Sequence, residues 1–141
     1  MLNKYALFKN YILHFFKLIV ERDSHSDEQI LDILSLKKIA VIGMSKHSSK
    51  AAHYVPKYLI DNGYDVTPVN PTAEKILDVT CYDSISEIDA DVDIIDVFRP
   101  SEQISSIIRD CIEKKPKVIW LQEGIHDFES EELARKAGII V

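Results

Sequence analysis

The sequence predicts a three-layer α/β domain on a mostly parallel sheet of five or six strands. From Lys37 to the end, short runs rich in Ile and Val alternate with segments of helical periodicity. The run Val92 to Phe98 is apolar on both faces apart from Asp93 and Asp96, as a strand covered by helices on each side must be. A polar loop opened by glycine, Gly43-Met44-Ser45-Lys46-His47-Ser48-Ser49-Lys50, joins the apolar run Ile39-Ala40-Val41-Ile42 to a helix.

Residues 1–23 differ in character from the rest of the chain. Tyr5 to Val20 is rich in Leu, Ile and Phe, but Lys9, His14 and Lys17 interrupt it. A membrane span needs ~20 continuous apolar residues, so none is expected. No signal-peptide pattern is visible either. At helical spacing Asn3, Lys4, Asn10, His14, Lys17, Glu21 and Arg22 share one side. Phe8, Ile12, Phe15, Phe16 and Ile19 lie opposite. The expectation is an N-terminal amphipathic helical extension, 1–23, preceding one domain, 24–141. Its apolar face could pack on that domain, on a second copy to make a homodimer, or on a membrane surface.

Ser24-His25-Ser26 breaks the pattern. Ser26 then caps a helix over Asp27 to Leu34, with Gln29 completing a capping box. A first strand is predicted over 38–42. A helix comes next, from His53 to Asn62, in which Pro56 is tolerated only within the first turn. Gly63 closes it. A second strand covers 65–69 and a weak third covers Asp78 to Tyr82. Ser84 to Ile88 reads as a turn of helix. After it come a fourth strand over 92–98, a helix over 101–114 and a fifth strand over 117–121. Glu129 to Lys136 is a helix ended by Gly138, and Ile139-Ile140-Val141 begins a sixth strand.

The chain has 141 residues, 46% of them hydrophobic and 28% charged, enough for one domain with a real core. A net charge of −6 argues against coating nucleic acid. Cys81 and Cys111 have no metal-binding spacing and suggest no disulfide framework, which fits a reducing cytoplasm. No metal site is predicted. The histidines are scattered, and only His47 and His53 flank the polar loop.

That loop has the character of an anion site. Backbone N–H groups and the helix dipole there favour negative charge. Three serine hydroxyls and the cations Lys46 and Lys50 add to it. The dinucleotide fingerprint is incomplete, because Ser45 and Ser48 replace its second and third glycines. No Gly-Lys-Ser/Thr comes after it, so it is no Walker loop. The acid that grips ribose in NAD sites belongs at the end of the second strand. Here that strand ends in Asn70-Pro71, and Asp65 sits at its start. The pattern indicates a nucleotide-like ligand other than NAD.

Ligands of open parallel sheets lie beyond the carboxyl ends of the strands. The residues just past strands one, two, four and five are Gly43 to Lys46, Asn70 to Lys75, Arg99-Pro100-Ser101 and Gln122-Glu123-Gly124-Ile125. Lys46, Lys50, Lys75 and Arg99 thus converge on one edge of an acidic chain, which suits a polyanion. For Arg99 the plain alternative is a salt bridge to Asp96 or Glu123. No Ser/His/acid triad and no carboxylate pair can be assembled. Glu123 is the one acid expected in the cleft, and no catalytic residue is predicted.

These residues resemble the small stand-alone proteins of the Rossmann-like CoA-binding family. The resemblance runs from Ser26 to Val141. It rests on Ile39-Ala40-Val41-Ile42-Gly43-Met44-Ser45, Tyr58-Leu59, Gly63-Tyr64-Asp65-Val66, Val69-Asn70-Pro71, Asp96-Val97-Phe98-Arg99 and Val118-Ile119-Trp120-Leu121-Gln122. The fold is also similar to the CoA-binding domain of the succinyl-CoA synthetase α subunit, whose Thr-Glu-Gly-Ile segment is matched by Gln122 to Ile125. The resemblance implies strand order 3-2-1-4-5-6 and coenzyme A, or an acyl-CoA, as ligand. Gly43, Met44 and Ser45 would meet the pyrophosphate through backbone N–H and hydroxyl groups, and Lys46 or Lys50 would balance its charge. Val69, Asn70, Pro71 and Lys75 would frame the adenosine end. Phe98, Arg99 and Pro100 would line the cleft, with Gln122, Glu123 and Gly124 beside it.

Synthetase-like enzymes carry a phosphorylated histidine on a further domain not seen in this sequence, so a binding protein rather than a ligase is expected. The alternatives are an NAD(P)-binding enzyme, with Lys75 or Arg99 on a 2′-phosphate, and the CoA-binding half of a split acyl-CoA ligase. The sequence departs from the family in four places. Ile76-Leu77-Asp78 stands where a glycine is common, and His47-Ser48-Ser49-Lys50 stands where proline and arginine are common. An Arg-Cys tail is absent after Val141, and segment 1–23 is not a family feature.

Overall fold

The computed structural model describes residues 25–141. The extension 1–23, expected as an amphipathic helix with a dimer face, lies outside the described residues. Helix α1 (Asp27–Leu34) starts as its sequence indicates. Ser26 N–H donates to Gln29 Oε1 at 2.8 Å, and Gln29 N–H donates to Ser26 Oγ at 3.2 Å. The two residues thereby satisfy each other's otherwise orphaned donors.

Strands β1 (Lys38–Ile42), β2 (Asp65–Val69), β5 (Ile94–Val97) and β6 (Val118–Leu121) form one parallel sheet in the order β2-β1-β5-β6. The order is the one expected, but the sheet has four strands rather than five or six. The two outer positions shrink to single parallel bridges, Tyr82 to Val69 and Ile140 to Val118. Pro68 explains the first. Tyr82 N–H donates to Pro68 O at 3.0 Å and Asn70 N–H donates to Tyr82 O at 2.9 Å. The next rung would need an N–H from Pro68, which has none, so the ladder stops.

Of the residues expected as a third strand, 78–82, Val79–Thr80 forms β4 and pairs antiparallel with β3 (Lys75–Ile76) in a hairpin, leaving only Tyr82 beside β2. The hairpin's two central residues, Leu77 and Asp78, have φ of +50° and +61°. Such a turn favours Asn-Gly, and left-handed backbone strains residues with a Cβ by about 1–2 kcal/mol each. This is the place where the resembling family commonly has glycine. Asp78→Gly is therefore expected to raise stability by about 1 kcal/mol in urea unfolding. An equal or lower midpoint would show that the Asp78 side chain compensates its own strain.

Helix α2 (Ala51–Asp61) connects β1 to β2, and helix α3 (Ser101–Glu113) connects β5 to β6. The two connections run in opposite directions across the sheet. Both must be right-handed crossovers, which places the helices on opposite faces. Accordingly Ala40, Ile42, Ile95, Val97 and Ile119 pack with Ile104, Ile108 and Cys111 of α3 and Ala134 of helix α4 (Phe128–Lys136). Ile39, Val41 and Ile94 point to the other face, where Val55 and Leu59 of α2 are buried. This is the three-layer arrangement. The order reverses between β1 and β5, and ligands of open parallel sheets bind in the crevice beyond the carboxyl ends of such strands.

Helix α2 ends as expected: Tyr64 N–H bonds Leu59 O at 3.0 Å and Gly63 N–H bonds Ile60 O at 3.1 Å, with Gly63 at φ +87°. Its start differs. It begins two residues earlier than expected, so Pro56 lies in the second turn rather than the first. The helical partner that Pro56 cannot supply to Ala52 O comes from outside the helix: Ser45 N–H donates to it at 2.9 Å.

Candidate functional site

Three strand ends meet at Gly43. Its N–H donates to Val69 O at 2.9 Å, and Phe98 N–H donates to Ile42 O at 2.9 Å. Gly43 has φ +84°, and a Cβ there would sit 2.6 Å from Phe98 O and 3.3 Å from Arg99 Cδ. Only glycine lets β5 and Arg99 close on the loop.

The loop then folds over the start of α2. Met44 is wholly buried, and its carbonyl accepts from Asn70 Nδ2 at 2.8 Å. Asn70 Oδ1 accepts from both Thr72 N–H and Thr72 Oγ1 at 2.8 Å. One amide both donates and accepts, which a carboxylate cannot do. The position where NAD sites carry an acid is therefore structural here. His53, buried on α2, binds Ser45 O through Nδ1 at 2.7 Å, and Ser45 Oγ accepts from His47 N–H at 3.1 Å.

These bonds revise the expected donors. The N–H groups of Gly43 and Ser45 are held by Val69 and Ala52 rather than directed at a ligand. Among the described residues, the backbone N–H groups of Met44, Lys46, Ser48 and Ser49 in the loop, and of Ala51 and Ala52 at the start of α2, have no acceptor in the protein. Lys46 and Lys50 lie on the same loop, and both are exposed. Arg99 is half-buried, with its stem against Gly43. It makes no ion pair among the described residues, so the bridge to Asp96 or Glu123 does not form. Lys57, Lys117 and Arg135, by contrast, all have carboxylate partners.

The second wall comes from β6. Gln122 N–H donates to Val97 O at 3.3 Å, and Gln122 Nε2 donates to Asp96 Oδ1 at 2.6 Å. Asp96 is 5% exposed, and burial pushes its carboxyl up to about 7 against the opposing Gln122 hydrogen bond. Ser101 fastens the loop after β6 to α3. Its Oγ accepts from His126 N–H at 2.9 Å and donates to Gly124 O at 3.5 Å. Pro100 caps α3, while Glu123 and Gly124 are exposed.

Lys75 is the outlier of the expected set. It lies exposed on β3, and no bond joins it to the Gly43 loop. A groove of about 390 Å³ runs along that hairpin, lined by Pro71, Thr72, Ala73, Glu74, Thr80, Cys81 and Asp83. Sequence reasoning left Asp96 and Ser101 out of the site. An acid inside an apolar strand is the available signal for the first, and a place directly after the fourth strand is the signal for the second. Among the described residues no group of three or more His, Cys, Asp or Glu could hold a metal ion, and no helix is long and apolar enough to cross a membrane.

The family model for the CoA binding domain matches residues 37–141, from the foot of β1 to the last residue. The chain belongs to the CoA-binding domain family. Within it, the domain is 37% identical over 114 residues to the Bacillus subtilis protein YneT, covering 80% of this chain and 84% of that protein. It is 33% identical over 138 residues to an ADP-forming acetate–CoA ligase II of Archaeoglobus fulgidus. That match covers 87% of this chain but only 20% of the ligase. A solved structure of a hypothetical protein from Pyrococcus horikoshii OT3 superimposes with a TM-score of 0.81 at 37% identity, covering 84% of each chain. The dinucleotide forming acetyl-coenzyme A synthetase 1 of Ca. Korarchaeum cryptofilum gives 0.65 at 27% identity, over 77% of this chain and 26% of that one. The CoA-binding domain is thus found both as a small protein and as a minor part of larger ligases.

Proposed function

We propose that this domain binds coenzyme A or an acyl-CoA in the crevice between the carboxyl ends of β1 and β5. The observation that carries the reading is Arg99. It is a half-buried residue whose Cδ lies beside Gly43, and its guanidinium has no carboxylate partner among the described residues. Pro100 restricts Arg99 to extended backbone and aims it from a rigid strand end. The pyrophosphate of CoA fits between Arg99, the Ser45 hydroxyl, Lys46 or Lys50, and the first N–H groups of α2. Asn70 and Pro71 frame the adenosine end, with Lys75 at its margin. Phe98 and Pro100 line the cleft, and Gln122, Glu123 and Gly124 close its far side. The protein acts as a binding module without catalytic residues of its own, in the cytoplasm.

Arg99→Ala is expected to weaken CoA binding by roughly 1.5–3 kcal/mol, the loss of a charge-assisted hydrogen bond. Arg99→Lys recovers only part of it, because lysine cannot bind phosphate bidentately. Calorimetry checks this. Unchanged affinity removes Arg99 from the site, and loss of the folded circular dichroism spectrum makes it structural.

The match to a fifth of an acetate–CoA ligase supports a second reading, the CoA-binding half of a split ligase. It requires a partner chain with a phosphate-accepting histidine, recoverable by pull-down. Residues 1–23 are proposed as the contact surface of a homodimer, for which light scattering should return twice the chain mass.

A further inference from the structure

Asp96 is the buried acid of the crevice, the third residue of β5 and three before Arg99. Val41 on β1 and Trp120 on β6 flank it in register and are uncharged. Helix α2 covers this face and carries His53, Tyr54, Lys57, Tyr58 and Asp61 as its titratable groups. His53 is already bound to Ser45 O, and Lys57 pairs with Asp61. The charged residues just past β1, β5 and β6 are Lys46, Arg99 and Glu123, and none pairs with Asp96. Its one side-chain partner among the described residues is Gln122 Nε2, at 2.6 Å.

An ionised carboxylate only accepts hydrogen bonds, so it can hold Gln122 by the NH₂ end alone. The amide is planar. Fixing Nε2 inward fixes Oε1 outward, and Oε1 has no partner among the described residues. A protonated carboxyl can donate to Oε1 or accept from Nε2, and this selection is lost. Resting on the CoA reading above, we infer that Asp96 is a positioning residue. Its carboxylate turns Gln122 Oε1 toward the cleft as a fixed acceptor for an amide N–H or hydroxyl of the CoA arm. The carboxyl's upward displacement by burial puts the change of state near neutral pH.

The test is calorimetric titration of CoA into the wild-type chain, Asp96→Asn, Gln122→Leu and the double variant, at about pH 8 and about pH 6. Asp96→Asn should bind roughly fivefold more weakly at the higher pH, the loss of about one oriented hydrogen bond. It should have no effect in the Gln122→Leu background. Wild type should lose about the same factor on acidification, over and above the change seen in Asp96→Asn, which cancels the titration of CoA itself. Equal affinities and equal pH profiles for wild type and Asp96→Asn overturn the inference while leaving the CoA site intact. Absence of CoA binding by wild type overturns the CoA reading and this inference with it. A measurement on the ligand-free wild type needs no variant. The Gln122 side-chain amide signal in NMR should shift as Asp96 titrates, and an invariant signal overturns the positioning role.

Discussion

Gly43→Ala should destabilise the protein by about 3–5 kcal/mol, a large share of the roughly 5–15 kcal/mol that holds a domain together. Two independent effects add. Alanine at φ +84° is strained by about 1–2 kcal/mol. Its Cβ would also stand 2.6 Å from Phe98 O, a backbone atom on a residue tied by its N–H to Ile42 O. Relieving that contact means parting β1 from β5 at the crevice. Gly63 is the internal control, since at φ +87° a Cβ there meets nothing within 4 Å. Gly63→Ala should lose only the conformational part, about 1–2 kcal/mol. Urea unfolding of both variants checks the comparison. Equal losses would mean that the strand ends do not close on Gly43 as described.

Asp96→Asn should have the largest effect on how stability depends on pH. The carboxyl lies at about 7 when folded, against an ordinary value of 3.8. The folded state therefore holds this proton more tightly than the unfolded state does. Stability from Asp96 is complete below pH 3.8 and falls as pH rises, until it is lost above about 7. A displacement of that size corresponds to roughly 4 kcal/mol at most. Asparagine keeps an oxygen to accept from Gln122 Nε2 and has no charge to bury. The variant should lack the decline between those limits and be more stable than wild type by about 2–4 kcal/mol at mildly alkaline pH. Chemical denaturation at several pH values reads the difference directly. Parallel curves for the two proteins would mean that Asp96 is solvated.

Much of this fold was legible because its signals are local. Ser26 and Gln29 fall three apart and form their capping box. Gly63 closes α2, and the bounds of β1 and β2 come from apolar runs that need no partner to be recognised. What escaped depends on distant residues. The proline rule misjudged Pro56, because it counts only helical partners, and Ser45 N–H supplies the bond to Ala52 O from the preceding loop. The third strand was misjudged because Leu77 and Asp78 adopt a turn that usually advertises itself with glycine. At the site, the resemblance to CoA-binding proteins pointed to Gly43, Asn70 and Arg99, which the fold brings to the same strand ends. It could not tell that the N–H groups of Gly43 and Ser45 are already spoken for. Nor could it tell that Asp96 and Gln122, 26 positions apart, share one hydrogen bond. Both facts depend on register, which only the folded sheet fixes.

The most direct test of the CoA site is a pair of calorimetric titrations of the full chain, one with CoA and one with NADP. Saturable one-to-one binding of CoA, with no binding of NADP up to ~1 mM, is the result expected of this crevice. No heat of binding with CoA at that concentration, alongside clear saturation by NADP, would contradict it.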